Sequence, residues 1–224
     1  WLHIAGILIF LNYLYYSKHL HILLAFPNTY YGRLTPNGQL DNLESVTKEV
    51  KLMMDPDADP YATPEDSAAE VEKFGASDVF DLNRIQLLNA YTCTECGRCT
   101  SECPANQTGK KLSPRKIMMD TRDRLQDVGQ NIDANKGTFK PDGKQLLGDF
   151  ITNEELWACT SCNACVEACP ISINPLSIIM DMRRYLVMEN SAAPTELNTM
   201  MTNIENNGAP WPYNQMDRLN WNKE

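Results

Sequence analysis

The sequence predicts an all-α chain, and three observations carry that prediction. From Asp78 to about Met188 apolar residues recur at helical spacing, the pattern of helices with one buried face. Period-2 runs of β-branched residues, which mark strands, are scarce. A helix–loop–helix unit also occurs twice. IMMDTRDRL follows Ser113-Pro114, and IIMDMRRYL follows Asn174-Pro175. At an offset of 61, Pro114 matches Pro175, Ile117 matches Ile178, Asp120 matches Asp181, Arg122 matches Arg183 and Leu125 matches Leu186. Ser113 and Asn174 suit an N-cap, whose side-chain oxygen accepts from the free amides of the first turn. Proline suits the first helical position, where its missing N–H costs nothing. A short helix precedes each loop, ending near Tyr91 or Trp157.

Four segments follow in chain order. Residues 1–26 are almost wholly apolar: WLHIAGILIFLNYLYY, then Ser17, Lys18 and His19, then LHILLAFP. The first run falls short of the ~20 residues that span a bilayer. It has no starting methionine, no basic start and no small-residue cleavage site, so it does not read as a signal peptide. Tyr13, Tyr15 and Tyr16 beside Lys18 fit an interfacial belt. The segment reads as a transmembrane helix at the N-terminal end of the chain, the last helix of a membrane domain cut upstream. A buried amphipathic helix of a soluble domain is the competing reading. Residues 27–77 read as an acidic linker, irregular from 41 onward, where Pro56, Pro60 and Pro64 oppose a helix. Residues 78–190 form the helical domain. Residues 191–224 read as an irregular tail leading to a partner or a further domain.

Composition narrows the function. The chain has 224 residues, 43% of them hydrophobic and 22% charged, so it can bury a core. Its net charge of −9 argues against nucleic acid, which needs a basic surface. All 29 acidic residues lie after residue 40. The eight cysteines fall into two groups of four, unlike the scattered cysteines of a small secreted disulfide scaffold.

Cys93, Cys96, Cys99 and Cys103 precede Pro104, and Cys159, Cys162, Cys165 and Cys169 precede Pro170. Both groups read C-x2-C-x2-C-x3-C-P, the spacing of bacterial ferredoxins. Three cysteines at this spacing wrap one side of a cubane cluster, and the fourth departs in another direction. In two-cluster proteins that fourth cysteine ligates the other cluster. The likeness implies Cys93, Cys96, Cys99 and Cys169 for one [4Fe–4S] cluster. It implies Cys159, Cys162, Cys165 and Cys103 for the other. Zinc is the competing metal, but its sites use paired C-x2-C units and not triples with a fourth cysteine before proline. Gly97 and Ala164 read as positions where backbone N–H groups approach sulfur. Arg98, Lys110 or Lys111 would raise the first cluster's potential and Glu167 would lower the second's.

His3 and His21 are 18 residues apart. On one unbroken helix they share a face and lie ~27 Å apart, close to the ~30 Å hydrocarbon thickness. That suits axial ligation of two stacked b-type haems. His19 points elsewhere on the same wheel and reads as an interfacial side chain.

The interval between Cys103 and Cys159 is longer than in a compact βαββαβ ferredoxin. It resembles the α-helical ferredoxin domain of the iron–sulfur subunits of succinate dehydrogenase, anaerobic glycerol-3-phosphate dehydrogenase and heterodisulfide reductase. YTCTECGRCTSECPANQTGKKLSPRKIMMDTRDRL and NIENNGAPWPYNQMDRLNW resemble the heterodisulfide reductase C/D type, over roughly residues 80–221. WLHIAGILIFLNYLYYSKHLHI is similar to the last helix of the nitrate reductase gamma subunit. That likeness implies haem b ligation by His3 and His21, in the parent protein only, with two further histidines supplied upstream.

Together the resemblances imply an electron-transfer module with no catalytic residues of its own. It would relay electrons between an upstream membrane haem domain, with the menaquinone or quinone pool behind it, and a soluble partner. That partner would be a CCG-domain subunit or an electron-transferring flavoprotein. The module would sit on the cytoplasmic side of the inner membrane. A peripheral iron–sulfur subunit without haem, like that of anaerobic glycerol-3-phosphate dehydrogenase, and a zinc-stapled interaction module are the alternatives.

Overall fold

The structure is a computed structural model that describes residues 1–17, 19–36, 39–55 and 73–222. Among these residues it is helical throughout, apart from one isolated bridge between Leu147 and Ile151. It divides into two units, Trp1–Tyr185 and Leu186–Glu224.

The first unit begins with α1 (Leu2–Leu14) and α2 (Leu20–Tyr30). The sequence predicted one unbroken helix here, and the structure corrects it. Tyr16 and Ser17 bond three residues back, to Tyr13 and Leu14. The Ser17 hydroxyl donates to the Leu14 carbonyl at 2.9 Å and accepts from the His19 amide at 3.2 Å. A serine that satisfies local backbone groups in this way competes with the helical ladder. Among the described residues no helix is long and apolar enough to cross a membrane. The linker is also more ordered than predicted, because α3 (Glu44–Met54) lies inside it. Pro56, Pro60 and Pro64 lie outside the described residues.

The domain proper opens at Gly75. A side chain there would strike the Asp181 carbonyl, and its φ of +80° suits glycine. Then come α4 (Arg84–Thr92), α5 (Arg98–Ser101) and α6 (Pro104–Gln107). The long helix α7 (Pro114–Ala134) follows. The second half repeats the order with α8 (Asn153–Ala158), α9 (Ala164–Glu167) and α10 (Pro175–Arg184). Ser113 accepts from the Lys116 amide and Asn174 from the Ser177 amide, so both predicted caps and both N1 prolines are present.

Helix α7 buries Ile117, Met118, Thr121, Arg124 and Val128, spaced three and four apart so that they form one stripe. The stripe packs against α4 and α10. Ile178 and Met182 of α10 are fully buried, each side chain contributing roughly 1.5–3 kcal/mol by leaving water.

The helix before each cysteine loop is tied to the opposite half. Gln86, in the capping box of α4, donates to Asp181 of α10 at 2.7 Å. Glu155, in the capping box of α8, pairs with Lys116 of α7 at 2.9 Å. Lys116 reaches on to Asp120 at 2.7 Å, and Asp120 is the repeat partner of Asp181. One buried cation closes the core: Arg124 meets Asp78 at 2.8 Å, Asp142 at 2.5 Å and the Lys144 carbonyl at 2.8 Å.

The second unit carries α11 (Thr195–Asn207), so the tail is not wholly irregular as predicted. The helix ends at Gly208, whose φ of +62° is the left-handed conformation of a helix C-terminus. Arg218 then donates to the Gly208 carbonyl.

Candidate metal centre

Both cysteine loops start the same way. Cys93 ends α4 and Cys159 ends α8, each in extended backbone. Two left-handed residues then turn the chain: Glu95 and Gly97 in the first loop, Ser161 and Asn163 in the second. The counterpart of Gly97 is therefore Asn163, and Ala164 begins α9. Asparagine tolerates this conformation better than most side chains. The amide of Ser161 points at the Cys159 sulfur at 3.4 Å, and the amide of Glu95 holds the same relation to Cys93. Ile173 donates to the Cys169 sulfur at 3.4 Å. The sulfurs thus receive backbone N–H groups, which favour the thiolate.

The loops differ after their last cysteine. Cys93 to Cys159 and Pro104 to Pro170 are offsets of 66, whereas Pro114 and Pro175, which open α7 and α10, are offset by 61. The surplus in the first loop holds α6, which Cys103 introduces in extended backbone.

The thiols gather by place and not by motif. Cys93, Cys96, Cys99 and Cys169 line a cavity of about 260 Å³, together with Cys165. Cys103, Cys159, Cys162 and Cys165 line a smaller one of about 20 Å³. Cys165 therefore borders both and forms an apolar cluster with Val166 and Leu176, against which Cys99 and Cys159 both pack. Cys103 and Cys165 are buried, while Cys96 and Cys162 are exposed. Among the described residues no carboxylate lines either cavity. None of their His, Cys, Asp or Glu side chains meet in threes closely enough to hold a single ion. The first cavity is wider than one ion needs, and at both sites four soft sulfur donors suit iron–sulfur chemistry.

Burial raises the thiols of Cys93, Cys99 and Cys159 above their ordinary range. It pushes Cys165 up to about 12, aided by the neighbouring Cys159 and Cys99. Loading metal on these sulfurs therefore releases protons.

Each loop is also clamped by an arginine. Arg122 pairs with Glu95, between the first two cysteines, at 2.7 Å. Arg183 donates to the Leu156 carbonyl at 2.5 Å and the Cys159 carbonyl at 2.6 Å, and lies over the Trp157 ring at 4.9 Å. The repeat alignment already paired these two arginines, but it gave no sign that one would bind a carboxylate and the other backbone. Arg98 borders the first cavity, and Arg115, which the sequence did not single out, borders it too. Lys111 pairs with Glu154 at 2.7 Å.

His3 and His21 are not brought together. His3 lies in a shallow groove of α1 with Leu2, Gly6, Ile7 and Phe10. His21 borders the first cysteine cavity, and Ala25 lies beside it. His19 sits against Phe10 and His21, with ring centroids 6.1 and 6.4 Å apart.

Residues 92–173 match the 4Fe–4S dicluster domain family. The chain carries this dicluster domain and is similar to heterodisulfide reductase-type iron–sulfur proteins. Two 4Fe–4S clusters account for its eight cysteines, and electron transfer is the chemistry they supply. The chain is 32% identical to the probable iron–sulfur-binding oxidoreductase FadF of Bacillus subtilis, over 100% of this chain and 33% of that protein. It is 28% identical to the EtfAB:quinone oxidoreductase of Syntrophomonas wolfei, over 99% of this chain and 30% of that protein. It is 27% identical to one component of the dihydromethanophenazine:CoB–CoM heterodisulfide reductase of Methanosarcina mazei, over 67% of this chain and 37% of that protein. The dicluster chain thus spans about a third of the length of these curated relatives.

Proposed function

We propose that this chain is the two-cluster relay of a membrane-associated oxidoreductase, with crossed ligation. Cys93, Cys96, Cys99 and Cys169 hold the first cluster, and Cys159, Cys162, Cys165 and Cys103 hold the second. The observation that carries this is the exchange of fourth cysteines: Cys169 borders the cavity of the first three, and Cys103 that of the second three. The residues' own task is to hold eight thiolates in fixed loops, supply N–H groups to sulfur and exclude water. Iron and acid-labile sulfide of about eight each per chain, after anaerobic reconstitution, test the cluster content. A colourless preparation with stoichiometric zinc would overturn it.

The partners follow from surface and likeness. Helix α1 exposes apolar side chains on nearly every side, among them Ile7, Leu8, Ile9, Phe10 and Leu11. A helix apolar all round is at home in a core or a membrane. This supports an N-terminal neighbour made of lipid or membrane helices, with haem b or quinone as the carrier there. The haem reading of His3 and His21 belongs to the intact protein. It keeps the apolar surface around His3 as support, but not the unbroken helix. The similarity to an EtfAB:quinone oxidoreductase supports a flavoprotein partner; a CCG-type subunit in its place, and the cytoplasmic side for either, belong to the proposal alone.

The break between α1 and α2 favours a second reading, a peripheral iron–sulfur subunit without haem. A pyridine haemochrome spectrum of the intact protein separates the two: haem b supports the first reading, and its absence the second.

A further inference from the structure

The two cysteine cavities differ in what flanks them. His21 and Ala25, both on α2, border the first. Tyr15, Tyr16, Leu20 and His21 also form one wall of a cleft of about 410 Å³ whose other wall includes Cys93 and Glu95. The N-terminal helices therefore flank the first site on two sides. Among the described residues bordering the second cavity, none comes from α1 or α2. The placement of α2 is anchored: it packs against α4, and buried Asn28 donates to the Ile171 carbonyl at 2.8 Å, two residues after Cys169.

The two sites in turn meet at one place. Cys165 borders both cavities, and Cys99 and Cys159 both pack against the apolar cluster it forms with Val166 and Leu176. An electron crossing between the sites here passes through this apolar cluster.

From these placements we propose an order for the relay. The first site, held by Cys93, Cys96, Cys99 and Cys169, is the port that exchanges electrons with a membrane-side quinone at α1–α2. The quinone reaches the second site only through it, across the apolar cluster that contains Cys165 and against which Cys99 packs. Each step moves one electron and makes or breaks no bond at the cysteines. Two electrons leaving in succession by the first site, with two protons from solvent, reduce one quinone to quinol. The order rests on the two-cluster, membrane-side reading above.

The test uses the intact protein in detergent with both clusters reduced by dithionite and the excess removed. It is mixed with menaquinone-4 in micelles, freeze-quenched and read by EPR. Two variants are compared with wild type, Cys96→Ser lacking the first cluster and Cys162→Ser lacking the second. Their dithionite-reduced spectra verify the surviving cluster. In wild type the quinone removes both signals. In Cys96→Ser the second cluster's signal persists, and in Cys162→Ser the first cluster's signal still disappears. A second cluster reoxidised in Cys96→Ser as fast as in wild type overturns the order while leaving the membrane-side reading in place. A first cluster that stalls in Cys162→Ser overturns it as well, and needs no folded Cys96→Ser protein. Wild type that keeps both signals overturns the membrane-side reading, and the order with it.

Discussion

Asn28 on α2 donates its side-chain amide to the Ile171 carbonyl, joining positions 143 residues apart at 2.8 Å. This bond holds the N-terminal helix pair against the loop that carries Cys169. Removing one partner of a buried hydrogen bond costs roughly 1–3 kcal/mol, because the other is left unsatisfied. Asn28→Ala should therefore lower stability by about that much and loosen α2 over the first cavity. The check is bleaching by an iron chelator: the first cluster should be lost faster than in wild type, with the second unaffected.

Arg183 and Arg122 occupy equivalent places but do different work. Arg183 satisfies two carbonyls of the second loop from a half-buried position, and hydrogen bonds to a charged donor are worth roughly 1.5–3 kcal/mol. Arg183→Met should cost about that and selectively weaken the second cluster's EPR signal. Arg122→Met removes a partly exposed pair and should cost roughly 1 kcal/mol or less. Equal damage to both clusters from Arg183→Met would contradict the local clamp.

Arg124 is 1% exposed at its side chain and faces Asp78 and Asp142. Breaking a buried ion pair from one side strands the other charge, at roughly 3–5 kcal/mol. Arg124→Met should show that loss in chemical denaturation. Asp78→Asn added to it should recover part, because the stranded charge is gone.

Acid should unfold the protein through Glu155 among others. Burial raises this carboxyl, but the Thr152 amide and the Lys116 ammonium more than offset that, and its pKa is lowered overall. Asp81 and Asp142 are also lowered, with Asp120 opposing them. A lowered carboxyl contributes stability that is present above its unfolded pKa of about 4.3 and is lost as pH falls through the folded value. Glu155→Gln keeps the capping geometry but removes this contribution. Its destabilisation should be clear at pH 7 and should shrink progressively below about pH 4. A gap between variant and wild type that stays constant with pH would contradict this.

Much of the site was legible because spacing carries it. The cysteine runs, the caps at Ser113 and Asn174 and the paired prolines all act within a few residues of one another. The break after Leu14 was not legible. Ser17, Lys18 and His19 separate two apolar runs there, but a short polar interval is compatible with a continuous helix, and the backbone-directed Ser17 hydroxyl is what breaks it. Asn163 was not singled out, because the left-handed position takes asparagine as well as glycine and no glycine marks it in the second loop. The seat of His21 beside the first cavity depends on the contact between Asn28 and Ile171, which no local pattern could reveal.

Crossed ligation is the central claim, and serine replacement of the fourth cysteines tests it most directly. EPR spectra of reduced Cys103→Ser and Cys169→Ser are compared with those of Cys96→Ser and Cys162→Ser, which define the first and second clusters. Cys103→Ser should lose or alter the signal that Cys162→Ser loses, and Cys169→Ser the signal that Cys96→Ser loses. If Cys103→Ser instead removes the signal lost in Cys96→Ser, each motif holds its own cluster and the account is wrong.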